Sequence, residues 1–172
     1  MGIAWMMLSI AAPAEADASA FDSAGYRIAH YRAPTRRAPN GVTRIAPQAA
    51  AMLRQGVDAL FIDVTPVDPG AGGKPERMTI PGAHWFPESG RGGIDPAVER
   101  WLSGGVTRLT AGRADMPVIV FCLADCWMSW NAARRLQRAG YRPIWWLAEG
   151  SDGWRAWACG WSLSVPNATG PN

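Results

Sequence analysis

Three short apolar runs constrain the fold of this chain more than any other feature. Ala59-Leu60-Phe61-Ile62-Asp63-Val64, Val118-Ile119-Val120-Phe121 and Ile144-Trp145-Trp146-Leu147 show no sustained polar/apolar alternation. A strand covered on both faces reads this way, whereas a strand with one wet face alternates. Between and around these runs lie helical signals. Pro47 opens an Ala-rich stretch through Leu53 that stops at Gly56, and Asp95-Pro96 caps a helix through Leu102. Trp130 to Ala139 is amphipathic, with Ala132, Ala133, Leu136 and Ala139 on one face and Arg134, Arg135 and Arg138 on the other. Asp152 to Cys159 is a last helix, stopped by Gly160. Val42 to Ile45 and Ile80 to Phe86 supply two weaker strands, so the pattern predicts an α/β fold with about five mostly parallel strands and helices on both faces. Functional residues in such sheets gather at the carboxyl ends of the strands. Cys122 sits at one.

The length of 172 residues and the 48% hydrophobic content suit one domain with an ordinary core. No run approaches the roughly 20 apolar residues of a membrane span, so none is expected in the mature protein. Seventeen cations against fourteen acids leave a net charge of +3, with every cation but Lys74 an arginine. No basic run interleaves with stacking aromatics, which argues against nucleic acid as a partner. The first sixteen residues read as a signal peptide, an apolar run followed by Pro13-Ala14-Glu15-Ala16 with small residues at the cleavage positions. No Lys or Arg precedes that run. Residues 17–41, rich in Tyr, Pro and Arg but without a period, read as an extended arm. The domain then spans 42–165, and 166–172 is a disordered tail.

The segment Cys122-Leu123-Ala124-Asp125-Cys126-Trp127 joins a strand to a helix. Such a junction aims backbone N–H groups and the positive end of the helix dipole at one place, which favours a thiolate at Cys122 and makes it the candidate nucleophile. Cys126 is four residues on, a spacing that a curved loop can close into a disulfide, so Cys126 can resolve a persulfide, sulfenate or mixed disulfide on Cys122. The cysteine count of three is odd, and Cys159 reads as a core residue. Two thiols without a nearby His lack the ligands of a structural zinc site, and nothing else in the sequence calls for a metal or other cofactor. Leu123, Ala124, Asp125, Trp127, Met128 and Ser129 are the candidate loop and ligand-binding residues. Asp63 and His84 are supporting residues at strand ends, Asp63 as a brace and His84 as a structural hydrogen-bonder. The other tryptophans of the C-terminal quarter read mostly as core.

Five segments in this order resemble the rhodanese superfamily. They are Leu60 to Val64, Ile80-Pro81-Gly82-Ala83-His84-Trp85, Val118 to Cys122, Ala139-Gly140-Tyr141 and Glu149-Gly150-Ser151-Asp152-Gly153-Trp154. The run Cys122 to Ala133 is similar to that of the exported subgroup called PQQ-dependent catabolism-associated CXXCW motif proteins. The resemblance implies a bacterial periplasmic protein with sulfur (persulfide) or thiol-redox chemistry on Cys122, associated with PQQ-dependent alcohol oxidation. Its partners would be a small sulfur donor or a thiol/disulfide compound, together with a quinoprotein dehydrogenase system. One departure matters. Active rhodaneses carry an Arg late in the catalytic loop, and here Trp127 and Met128 occupy that region, with no Arg before Arg134. Weak thiosulfate turnover is therefore expected, and an aromatic at Trp127 favours a flat or apolar ligand. The alternative reading is a non-enzymatic accessory module that binds a dehydrogenase system through the Trp-rich loop.

Overall fold

Why these residues make a two-sided sheet is visible in how each buried run divides its side chains. The computed structural model describes residues 18–35, 37–68, 76–158 and 160–167, so the expected leader, Lys74 and Cys159 lie outside the described residues. After a short 3-10 turn at Ala18–Ala20 the elements are β1 (Thr43–Arg44), α1 (Pro47–Ala51), β2 (Leu60–Asp63), β3 (Arg77–Thr79) and β4 (His84–Trp85). They continue with α2 (Pro96–Leu109), β5 (Val118–Phe121), α3 (Trp127–Arg138), β6 (Ile144–Leu147), α4 (Gly150–Ala158) and β7 (Ser162–Ser164). The main sheet has the order β1-β6-β5-β2-β4, and every pairing in it is parallel.

Successive side chains of a strand point to opposite faces, and both faces are filled. Leu60, Ile62, Val118 and Val120 join Leu102 and Val106 of α2 and Met128, Ala132 and Leu136 of α3 in one core. Phe61, Ile119, Phe121 and Leu147 join Ala50 of α1 and Trp154 of α4 in the other. All eight residues of β2 and β5 are buried. At about 1.5–3 kcal/mol for each large apolar side chain removed from water, these central strands carry much of the stability.

Several boundaries differ from the sequence expectation. The first helix ends at Ala51 rather than Leu53. The second runs on past Leu102 to Leu109, through Gly104 and Gly105. Glycine costs a helix about 1 kcal/mol, but a Cβ at Gly105 would overlap the Phe86 ring, so the missing side chain lets α2 approach the sheet end closely. The third helix starts at Trp127, not Trp130, with Cys126 as its N-cap. An antiparallel ribbon, β3 with β7, was not expected from the sequence. The tail assignment is corrected at its first two residues: Pro166 bridges Trp85, and the Asn167 N–H donates to the Trp85 carbonyl at 2.7 Å.

The candidate functional site: a two-cysteine loop under an arginine-bearing arm

Cys122 follows β5, which lies at the centre of the sheet between β6 and β2. The chain then needs four residues to turn into α3. Asp125 makes that turn with φ of +53°, a left-handed conformation that Asp tolerates better than most residues. The turn brings Cys122 and Cys126 into a disulfide with Cα atoms 6.1 Å apart. Both are buried, at 0% and 3% exposure.

The loop is held from two sides. The Ser151 N–H donates to the Cys122 carbonyl at 2.8 Å, and the Ala124 N–H donates to the Asp152 carboxylate at 3.0 Å. Both partners sit in the first turn of α4, whose leading residue Gly150 has φ of +57° and lies so close that a Cβ would overlap the Cys122 carbonyl oxygen. From the other side comes the arm. The Trp127 N–H donates to the Tyr31 carbonyl at 2.8 Å and the Ala33 N–H to the Asp125 carbonyl at 2.9 Å, which makes Arg32 and Cys126 an antiparallel bridge. Two of the amides expected to face a bound anion, those of Ala124 and Trp127, are thus already occupied, one of them by a carboxylate.

The remaining sequence-predicted residues fall into distinct places. Leu123 and Ala124 are half-buried and Asp125 is exposed. Trp127, Met128 and Ser129 belong to the first turn of α3 rather than to the loop. Met128 is in the core. Ser129 donates to the Cys126 carbonyl at 3.0 Å and accepts from the Trp146 indole at 3.0 Å, tying the helix start to β6. Trp127 lies under the arm, with the Arg27 guanidinium 4.6 Å from its ring centroid and the Phe21 ring edge-on at 5.5 Å. Asp63 is fully buried at the end of β2, in register with Phe121. It accepts from the Thr65 N–H at 2.9 Å, the Thr65 hydroxyl at 2.6 Å and the Thr79 hydroxyl at 2.6 Å, and pairs with Arg77 at 3.2 Å. His84 is half-buried in β4, and burial pushes its pKa below the ordinary histidine value.

Sequence reasoning missed what holds the arm in place. Asn131 grips it from α3: its side-chain amide donates to the Arg27 and Gly90 carbonyls at 2.8 and 2.9 Å and accepts from the Arg27 N–H at 3.0 Å. The arginines assigned to the polar face of that helix do not simply face water. Arg134, Arg135 and Arg138 all lie over the Tyr26 ring of the arm, Arg135 at 4.2 Å and only 4% exposed. Burial lowers the Arg135 pKa, and the opposing attraction of Tyr26, Glu99, Asp22 and Tyr31 does not cancel it. Arg32 and Asp152 were likewise not singled out; for Asp152 and Asn131 the signal was their place inside the resembling motifs. Among the described residues, no group of three or more His, Cys, Asp or Glu is arranged to hold a metal ion, and no helix is long and apolar enough to cross a membrane.

A parallel α/β sheet with a cysteine pair between its central strand and the following helix defines a class by its frame, the doubly covered α/β domains with a thiol site at the carboxyl end of a central strand. The chain belongs to the rhodanese family: the family model of the rhodanese-like domain matches residues 46–156. That membership is consistent with sulfurtransferase-type or thiol chemistry. Comparison with curated proteins gives no match.

Proposed function

We propose that the protein is a thiol–disulfide couple on a rhodanese frame, with Cys122 as the nucleophile and Cys126 as the resolving thiol. The observation that carries this reading is the Cys122–Cys126 disulfide itself. In the oxidising direction the Cys122 thiolate attacks a partner disulfide, whose S–S bond breaks and releases one partner thiolate. The Cys126 thiolate then attacks the Cys122 sulfur and expels the second. The protein dithiol has lost two electrons and two protons, and the partner disulfide has become two thiols. The same attack on a Cys122 persulfide would expel hydrosulfide, so Cys126 limits how long a transferable sulfur survives. Thiosulfate chemistry is disfavoured by the Asp152 carboxylate on the Ala124 amide, where an oxyanion would need a free donor.

Export to a bacterial periplasm, and an association with PQQ-dependent alcohol oxidation through a quinoprotein dehydrogenase system, rest on the resemblance of Cys122 to Ala133 and on the apolar leader. An accessory binding module is the weaker reading, because the arm covers Trp127. The test is intact-mass and peptide analysis of protein blocked with an alkylating reagent inside cells. A mass two hydrogens below the dithiol, with Cys122 and Cys126 linked, supports the couple. Two freely alkylated cysteines would sink it, and a gain of one sulfur on Cys122 would move the assignment to persulfide transfer.

A further inference from the structure

The bridge between arm and loop has a consequence for the charge beside the disulfide. Its two hydrogen bonds, Trp127 N–H to Tyr31 and Ala33 N–H to Asp125, lie on either side of the Arg32–Cys126 pair. In antiparallel pairing, residues flanked in this way form the non-hydrogen-bonded pair, whose side chains share one face with Cβ atoms about 4.5–5.5 Å apart. Arg32 and Cys126 therefore project to the same side. Asp125, one residue earlier, is exposed and in the left-handed turn conformation, and among the described residues it forms no ion pair with Arg32.

The two residues differ in exposure. Arg32 is exposed, whereas Cys126 is 3% exposed. The four ion pairs among the described residues engage Arg44, Arg54, Arg77 and Arg91, and none engages Arg32. A partner thiolate that attacks Cys122 expels the Cys126 thiolate beside this guanidinium, which is in no ion pair among the described residues. Thiol–disulfide exchange spreads one negative charge over three sulfurs in its transition state, and a fixed cation at this distance favours that state and any further negative charge on the partner.

We propose that Arg32 is a positioning residue that makes the Cys122–Cys126 pair selective for anionic thiol and disulfide partners. The inference rests on the thiol–disulfide reading above and adds the chemical class of the partner. A unit charge about 6 Å away through water changes a rate roughly threefold for each charge on the partner, so a −1 and a +1 thiol should differ by roughly tenfold. The difference should collapse near 1 M salt, where the screening length is about 3 Å.

The test uses the full chain with its disulfide formed and follows reduction by alkylation and mass measurement. The reductants are 2-mercaptoethanesulfonate, 2-mercaptoethanol and cysteamine, alike in reach but anionic, neutral and cationic, with each rate expressed per thiolate. The protein is compared with Arg32→Gln, with Arg32→Lys, and with Arg100→Gln, an exposed arginine on α2. The expected result is an anionic preference in the native protein and in Arg100→Gln, largely retained in Arg32→Lys and lost in Arg32→Gln, with melting temperatures unchanged. An unaltered preference in Arg32→Gln overturns the role of Arg32 while leaving the redox couple standing. A disulfide that none of the thiols can open and reform overturns both.

Discussion

Replacing Asp63 by Ala tests whether the carboxylate at the end of β2 braces the strand end beside the cysteine loop. Asp63 is fully buried and takes hydrogen bonds from the Thr65 amide, the Thr65 hydroxyl and the Thr79 hydroxyl, and it pairs with an Arg77 side chain only 14% exposed. Truncation leaves a buried cation and two buried hydroxyls without their acceptor. Removing one partner of a buried ion pair costs about 3–5 kcal/mol, and orphaned hydroxyls add to that less than fully because water can enter the vacated space. A net loss of about 4 kcal/mol should lower the melting temperature by about 8–16 °C at this chain length. Thr79→Val alone should cost about 1 kcal/mol. The double variant should cost clearly less than the sum, since it no longer contains the orphaned Thr79 hydroxyl. Calorimetry or thermal circular dichroism gives the shifts, and disulfide reduction of the folded protein gives the functional readout. A drop under about 3 °C for Asp63→Ala, or strict additivity in the cycle, would refute the bracing argument.

Three further outcomes are expected. Gly150→Ala forces an L side chain into a left-handed conformation against the Cys122 carbonyl and disturbs the Ser151–Cys122 hydrogen bond, so it should destabilise by about 3–5 kcal/mol; normal stability and normal disulfide formation would contradict the crowding seen there. Asn131→Ala removes three buried hydrogen bonds, two of them to the arm, and should speed tryptic cleavage after Arg27 or Arg32 while the sheet stays folded; unchanged cleavage kinetics would argue that Asn131 does not hold the arm. His84 is kept neutral by burial, so as pH falls through its ordinary value near 6.5 the unfolded chain takes up a proton that the folded chain resists. Stability should therefore be unaffected above that pH and decline below it, and His84→Gln should flatten that part of the melting-temperature profile.

Much of the frame was legible because burial on both faces leaves a composition trace. β2, β5 and β6 are continuous apolar runs, and each lies within one residue of its expected limits. The ends of helices were less legible, since the signals that stop a helix can be overruled by packing. The sequence carries α2 only to Leu102, yet the helix runs on through Gly104-Gly105 to Leu109, and Gly105 is what allows close contact with Phe86. Trp127 to Ser129 read as loop because they follow a cysteine motif, yet the arm and β6 hold them as the first turn of α3.

The cysteine pair, its place after a buried strand and its family were determined by the sequence alone, because local pattern and spacing carry them. Several features of the site were not. The spacing of Cys122 and Cys126 allowed a disulfide and the turn at Asp125 closes it, whereas the Asp152 carboxylate on a loop amide and Arg32 beside Cys126 depend on contacts between residues 28 and 94 positions apart. The arm shows the reason most plainly. Its arginines and tyrosines have no period and read as a solvated strand of charge, and their partners come from distant segments: Asn131 and the rings of Trp127 and Trp130 on α3, the cysteine loop, and Gly92, whose N–H donates to the Tyr31 hydroxyl. Pairing between distant segments is settled by which surfaces meet in three dimensions, and no local pattern in either segment encodes it.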